Sequence, residues 1–288
     1  MSEPRGGCEV VLTRAGEHSI LDHLTGEVMH PVGRVESDSL YVVPARLSER
    51  LTLPDSEPLV LLDVGLGMAS NALAAFRAAH QLPNRSRQLE IVSVDHSLEP
   101  LALALAAEHV DAFGLTGRAG EAARWLLRSH AEPLRASTPH RPEAAYRDGR
   151  VTWSLLLSDL ADALAGLSAD SVDVVFWDIY SPRSLPHFWT EATFRALCRV
   201  CRHGATVHTY SGALGVRAAM LLGGFAVGLG PSSGGKQRHT TIAATDLGDL
   251  ERPLGKDWLA RLQQGRASQA LELADKQYDQ IAALPQFS

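Results

Sequence analysis

Residues 58–71 read PLVLLDVGLGMASN, an apolar run that closes on Asp63 and opens onto Gly65 and Gly67 before a helical pattern begins. The spacing predicts a strand feeding a tight turn. Glycine carries no Cβ, so such a turn can bring bare backbone N–H groups against a ligand, and the following helix N-terminus adds partial positive charge. Taken alone, a Gly-x-Gly turn is equally a compact strand-to-helix connection. About one helix further on, residues 88–97, QLEIVSVDHS, form a second β-rich run that ends at Asp95. Together they make a βαβ unit with a carboxylate at the tip of its second strand, where it accepts hydrogen bonds from ribose hydroxyls. A nucleoside-bearing cofactor follows, either a dinucleotide such as NAD or the adenosyl group of S-adenosylmethionine. The pyrophosphate fingerprint wants a third glycine or alanine. Ser70 stands at that position, which tilts the reading away from a nicotinamide oxidoreductase.

The chain has 288 residues, 45% of them apolar and 21% charged, enough to bury a full core. No apolar run approaches the length needed to cross a bilayer, and the start MSEPRGGCEV lacks a signal-peptide layout, so the expected address is cytoplasmic. Cys8, Cys198 and Cys201 give no disulfide framework. Cys198 and Cys201 form C-x-x-C near His203, but the spacing in FRALCRVCRHG is helical and no second ligand pair matches it, so a buried helix is expected and no metal site. A formal net charge of −6 argues against a nucleic-acid-coated surface. A local patch remains open, because Arg118, Arg124, Arg128, Arg135, Arg141, Arg147 and Arg150 cluster with His130 and His140 in one segment. That segment could track phosphates. With Glu121, Glu132, Glu143 and Asp148 interspersed, it could equally be a solvated face.

Periodicity and punctuation divide the chain into three parts. Residues 1–52 form a β-rich lead-in, with EVVLT, HSILDH and SLYVV as short strands, followed by a short helix over VPARLSERL. Residues 53–245 alternate strands at 58–63, 88–94, 151–157 and 172–177 with helices at 68–80, 97–110, 190–202 and 212–222, and carry a basic insertion at about 115–150. The strand ATVHTY precedes the last of those helices, and GFAVGL with HTTIAAT closes the pattern as an antiparallel edge hairpin. Residues 246–288 are a tail of one or two amphipathic helices. The fold class is therefore α/β, a mainly parallel Rossmann-like sheet covered on both faces.

Ligands of such sheets collect at the carboxyl ends of the strands. The residues there are the Gly65–Gly67 turn, Asp95, Asp159, Asp178 and the pair Tyr210-Ser211. Asp159 is placed either to accept from an adenine amine, with Leu160 supplying a backbone amide, or to cap a helix. Asp178 follows the apolar run VDVVFW and is followed by Tyr180, Ser181, Pro182 and Trp189. A carboxylate among aromatic groups suits a cationic or amine substrate.

The order DVGLGMASN, SVDHS, LLSDLADAL, VVFWDIYSPRSLPHFWT, TYSGALGVRAAMLLGGFAV and GGKQRHTTIA resembles the MnmC-type methyltransferases over most of the chain. The most specific pieces are Asp178, Ser181, Pro182, Trp189 and Thr190, then Tyr210, Ser211, Val216 and Arg217. The lead-in, with Gly26-Glu27, His30 and Glu36-Ser37, is similar to stand-alone members. Departures are Tyr180, where the family usually has phenylalanine, Ile179, and Met29-His30-Pro31 in place of an aromatic-His-Ser. The resemblance implies a class I S-adenosylmethionine-dependent fold and methylation of 5-aminomethyl(-2-thio)uridine at the wobble position of tRNA, met at the anticodon loop. Two-domain relatives also carry a flavin-dependent oxidase half, for which the tail 246–288 is too short, so methylation without the preceding oxidative step and no flavin is expected; no metal and no membrane partner is expected either.

The cofactor-binding candidates are then Asp63, Gly65, Gly67, Met68, Asn71, Asp95, His96, Asp159 and Leu160. Asp178 is the catalytic candidate, expected to orient the amine and stabilise the ammonium; as a general base it is poorly matched, since an ordinary Asp sits near ~4. Tyr180, Trp189 and Tyr210 are expected to wall an extruded base, with Ser181, Pro182 and Ser211 beside them. Lys236 and Arg238 either hold phosphates or form a charged hairpin tip. A spermidine-synthase-like aminopropyl transferase shares the cofactor turn but would present more acids, whereas Asp178 stands alone in its loop. A non-catalytic RNA-binding module that keeps the cofactor pocket is the remaining alternative.

Overall fold

The computed structural model describes residues 7–30, 35–83, 85–130, 144–232, 239–267 and 273–288. Strands β1 (Cys8–Leu12), β2 (His18–Asp22) and β3 (Glu27–Val28) form a small antiparallel sheet. Strands β4 (Leu59–Val64), β5 (Leu89–Asp95), β6 (Ala145–Arg147), β7 (Val151–Leu157), β8 (Val172–Trp177), β9 (Cys201–Thr209), β10 (Ala226–Ser232) and β11 (His239–Ala244) form the main sheet, in the order β10-β11-β9-β8-β4-β5-β7-β6. The five central strands run parallel. As the sequence predicts, β10 and β11 form an antiparallel hairpin, paired through β11 to β9.

The central strands read as continuous apolar runs because both faces are buried. Successive side chains alternate between two cores: Leu61 and Phe176 pack with Leu51, Leu73, Phe76, Leu101 and Leu126 on one face. Leu62 and Trp177 pack with Leu164, Phe194, Leu197 and Met220 on the other. The tail helices Lys256–Ala267 and Asp275–Ala282 close this second face through Trp258, Leu262 and Ile281. Trp258 stacks on Phe287 at 5.9 Å.

Four local expectations are corrected. Residues 35–42 are helical rather than a strand, a short turn over Val35–Ser37 running into a wider one over Asp38–Val42. Its β-branched and aromatic composition mimics a strand, but Leu40, Tyr41 and Val42 are all buried, and Tyr41 meets Phe176 at 5.4 Å; tertiary packing overrides propensity. The helix read at 97–110 is regular only over Glu99–Ala104. The helix read at 190–202 ends at Val200 and Cys201 opens β9, so the two cysteines do not share a helix. Burial pushes the Cys201 thiol up, and among the described residues no His, Cys, Asp or Glu group could hold a metal ion. Within the basic segment, the helix Gly117–Ser129 buries Ala122, Ala123 and Leu126 in the first core rather than standing apart. Strand β6, only three residues long, pairs antiparallel with β7 and left no signal in the sequence.

Beneath the sheet's upper edge, Trp153 Nε1 donates to Ser93 Oγ at 3.0 Å, and Ser93 Oγ donates to Asp63 Oδ2 at 2.8 Å. Asp63 is 1% exposed, and desolvation, reinforced by the nearby Asp178 and Asp95, pushes its carboxyl up to about 8. A folded-state value above the unfolded one means that the native state keeps a proton the unfolded chain has released. The contribution of Asp63 to stability therefore declines as pH rises from about 4 to about 8. Asp63→Asn removes this dependence. In urea titrations at pH 4.5 and pH 8, the stability of the variant relative to the parent should rise with pH; a difference independent of pH would show that Asp63 ionises as readily in the fold as outside it.

Candidate active site

Strand β4 lies between β5 and β8, where the chain's crossovers diverge to opposite faces, and such a switch point leaves a crevice at the strands' carboxyl ends. A cavity of about 720 Å³ opens there, within the usual range for a small-molecule site. Its floor is the turn after β4. Gly65 has φ +89°, and a Cβ built on it would lie 2.6 Å from the Asp178 carbonyl oxygen. Asp178 N in turn donates to Val64 O at 2.9 Å, so the turn is pressed directly onto the end of β8. Gly67, φ +51°, donates its N–H to Asp95 Oδ2 at 2.9 Å, while Asp95 Oδ1 accepts from His96 N at 2.7 Å and Ser97 N at 3.2 Å. With His96 Nδ1 also 3.2 Å from Oδ1, the free capacity lies on Oδ2, which accepts only from Gly67 N among the described residues and keeps room for a ribose hydroxyl.

Asp178 is held from several sides. Tyr41 Oη donates to Oδ1 at 2.7 Å, Asn71 Nδ2 donates to Oδ2 at 2.6 Å, and His30 Nε2 lies 3.2 Å from Oδ2. The side chains of His30 and Asp178 are 12% and 14% exposed. Burial first, and the Asp178 charge second, hold the Tyr41 phenol well above its usual range, so it remains a donor. Ala69, with φ +67°, turns the chain so that Asn71 enters the first turn of the helix Ser70–His80 facing β8.

The lead-in roofs the cavity and fastens the loop after β8. Glu27 accepts from Ser181 N at 3.0 Å, from Ser181 Oγ at 2.5 Å and from Ser184 Oγ. Trp189 Nε1 donates to Tyr180 O, and Tyr210 Oη to Ile179 O, both at 3.0 Å. Tyr180, Leu185, Phe188 and Tyr210 form the aromatic and apolar wall. Burial, with Asp22 beside it, pushes the Tyr180 phenol up.

Of the residues proposed from sequence, Gly65, Gly67, Met68, Asp95, His96, Asp159, Leu160, Asp178, Tyr180 and Tyr210 line this one cavity. Asp159 also caps the helix Leu160–Gly166 by accepting from Ala161 N at 2.8 Å, the second of its two readings. Others stand behind the wall. Asn71 is spent on Asp178, and Asp63 on Ser93. Trp189 is 6% exposed and packs edge-on against Trp177 and Tyr210, so it supports the wall and does not present a face for stacking. Ser181 and Pro182 do not line the cavity, and the buried Ser211 uses its carbonyl to accept from Thr241 Oγ1 at 2.6 Å, joining β9 to β11. Lys236 and Arg238, like Arg135, Arg141 and His140, lie outside the described residues. Arg124, Arg150 and the exposed Arg147 donate to backbone carbonyls, and Arg118 and Arg128 are exposed.

Tyr41 was not singled out from sequence, because its segment imitates a strand. Nor is Asp178 alone. Asp22, Glu27, Glu36, Asp95, Glu99, Asp159 and Asp178 all line the cavity, and among the described residues no Lys or Arg lines it. The bare turn, the partly used Asp95 and this negative lining fit a cationic, adenosine-bearing sulfonium.

A profile of S-adenosyl-L-methionine-dependent methyltransferases matches residues 126–246. The bifunctional protein MnmC of tRNA 5-methylaminomethyl-2-thiouridine biosynthesis from Ralstonia nicotianae is 34% identical over 205 residues, covering 67% of this chain and 29% of that protein. The protein of the same name from Pseudomonas aeruginosa is 32% identical over 230 residues, covering 80% of this chain and 33% of that one. The chain thus spans about a third of the length of these curated relatives. The crystal structure of MNMC2 from Aquifex aeolicus superposes with a TM-score of 0.69 at 21% identity, covering 96% of this chain and 85% of that one, and shares the fold. The chain belongs to the MnmC-type family of S-adenosyl-L-methionine-dependent methyltransferases, and S-adenosyl-L-methionine is its cofactor.

Proposed function

We propose that the chain methylates the amine of 5-aminomethyluridine, or its 2-thio form, at the wobble position of tRNA in the cytoplasm, engaging the anticodon loop. The observation that carries this reading is the Asp178 carboxylate, fixed by Tyr41 and Asn71 at the cavity wall beside the Gly65 turn. When bound, S-adenosyl-L-methionine supplies an electrophilic methyl carbon on a sulfonium. The turn from Gly65 to Met68, Asp95, Asp159 and Leu160 would hold it. Asp178 accepts an N–H of the substrate amine and stabilises the positive charge on that nitrogen; because its carboxylate is already oriented, no reorganisation is needed as the charge develops. Tyr180, Phe188 and Tyr210 offer faces and edges to an extruded base, and Trp189, Ser181 and Ser211 keep the wall in place. The lead-in roof excludes water, which favours alignment of the two reacting groups.

The seven carboxylates lining the cavity also suit a polyamine, which keeps aminopropyl transfer as a second reading. Mass spectrometry of wobble nucleosides, after incubating tRNA that lacks the final methyl with the protein and labelled cofactor, separates the two. Incorporation of one methyl into aminomethyluridine is expected, with no product from putrescine and decarboxylated S-adenosylmethionine. The opposite pattern would replace the first reading with the second.

Asp178→Ala should lower methyl transfer by roughly 10² or more while S-adenosylhomocysteine binds, by calorimetry, within about threefold of the parent. Tyr41→Phe, which removes one oxygen, should produce a smaller loss in the same step. Full activity in Asp178→Ala would remove it from the mechanism. If the exposed Arg118 and Arg128 face tRNA, replacing both by alanine lowers the slope of log affinity against log salt by about 0.7 to 0.9 per charge removed. An unchanged slope would return them to a solvated face.

A further inference from the structure

Resting on the reading of the site as an amine methyltransferase, we propose that His30 is the group that takes the proton from the substrate ammonium, with Asp178 holding the imidazole. An alkylammonium such as that of lysine sits near ~10.4, six or more units above an ordinary aspartate but only about four above an ordinary imidazole. Loss of the ammonium proton to a carboxylate is correspondingly the less favourable transfer by a factor of roughly 10². Asp178, moreover, already accepts from Tyr41 and Asn71. It is placed to orient.

Two imidazoles line the cavity among the described residues, His30 and His96. His96 is 69% exposed and engaged with Asp95 at the rim, whereas His30 is 12% exposed and lies 3.2 Å from Asp178. The backbone leading to His30 is fixed, since Met29 N donates to Ile20 O at 2.9 Å and Met29 O accepts from Ser19 Oγ. His30 itself has φ +45°, a left-handed conformation that is uncommon outside glycine and marks functional positions more often than arbitrary ones. The titratable groups lining the same cavity around it are Asp178 at the end of β8, Tyr41 and Glu36 from the helical segment, Glu27 from β3, and Tyr210 after β9. All of these are acids, and among the described residues no Lys or Arg lines the cavity beside them.

The step balances as follows. One N–H proton of the substrate ammonium passes to the neutral imidazole; the nitrogen pair thus freed forms the bond to the methyl carbon; the pair of the breaking carbon–sulfur bond leaves on sulfur. The product is a secondary ammonium beside an imidazolium paired with Asp178, which returns its proton to solvent.

The test is single-turnover methyl transfer to an anticodon stem-loop carrying aminomethyluridine, at saturating donor, across pH 6.5 to 10. His30→Asn retains a residue that tolerates positive φ but is not a base, and His30→Gln serves as a second variant. Expected are a loss of roughly 10²-fold near pH 7 with KM within about threefold, and a deficit under about tenfold at pH 10, where much of the amine is neutral without help. An NMR titration of the His30 imidazole, free of cofactor, should show it releasing its proton at lower pH in Asp178→Asn than in the parent. A deficit independent of pH, no deficit, or an unmoved His30 titration would overturn the assignment. A parent protein that fails to methylate this substrate would overturn the reading of the site, and this inference with it.

Discussion

The close approach of the Gly65 turn to the backbone of Asp178 is the contact on which the site depends. Because β4 and β8 are neighbours in the sheet, the glycine turn and the segment that carries Asp178 emerge side by side. They can touch only if the first residue of the turn has no Cβ, since one there would stand 2.6 Å from the Asp178 oxygen. The glycine therefore does two things: it permits the left-handed φ of +89° and it removes the atom that would push the two strand ends apart. The turn and the Asp178 carboxylate are thus brought together by sheet topology, before any side chain acts.

The side chains then complete what the backbone begins, and they come from a part of the chain that the Rossmann-like core does not require. Glu27 ties the lead-in to the loop after β8, while Met29 and His30 reach over the Gly67 turn and Asp178. Tyr41 approaches from below through a fully buried phenol. A loop that carries aromatic wall residues and is fastened at Glu27, Trp189 and Tyr210 has little freedom left to lose on binding, which favours preorganised alignment over induced closure.

Much of this arrangement is legible in the sequence, and the reasons for the rest are physical. Parallel strands buried on both faces announce themselves as apolar runs, and the carboxylates at their tips can be counted off directly, which is why Asp95, Asp159 and Asp178 are found without a structure. Residues that act through a neighbour are less visible. Asn71 sits beside the cofactor turn in sequence, and its helix phase alone sends the amide to Asp178. Trp189 has the composition of a stacking residue, yet Trp177 and Phe194 draw it into the core. Tyr41 lies 137 positions from its partner in a segment whose residues favour strands, and nothing local marks it. The same holds for Asp22, which looks like an ordinary surface carboxylate until the roof folds over the cavity, while Glu27 and Glu36 stand out only through the resemblance of the lead-in and not through any local chemistry.

That concentration of acids creates an electrostatic problem which the sheet resolves by treating its carboxyls differently. Asp95 and Asp178 are each supplied with N–H or O–H donors and face a cavity where a cation can compensate them. Asp63, at the same level of the sheet, receives a single hydrogen bond from Ser93 and has no opening to solvent. A third charge there would be repelled by both neighbours and poorly solvated, so the low-dielectric interior retains the proton and Asp63 remains neutral at pH 7. Its neutrality keeps the floor of the site from adding to the field above it. What the described residues offer to a ligand is therefore a negative lining mounted on an uncharged base, a combination that favours cationic groups over anionic ones.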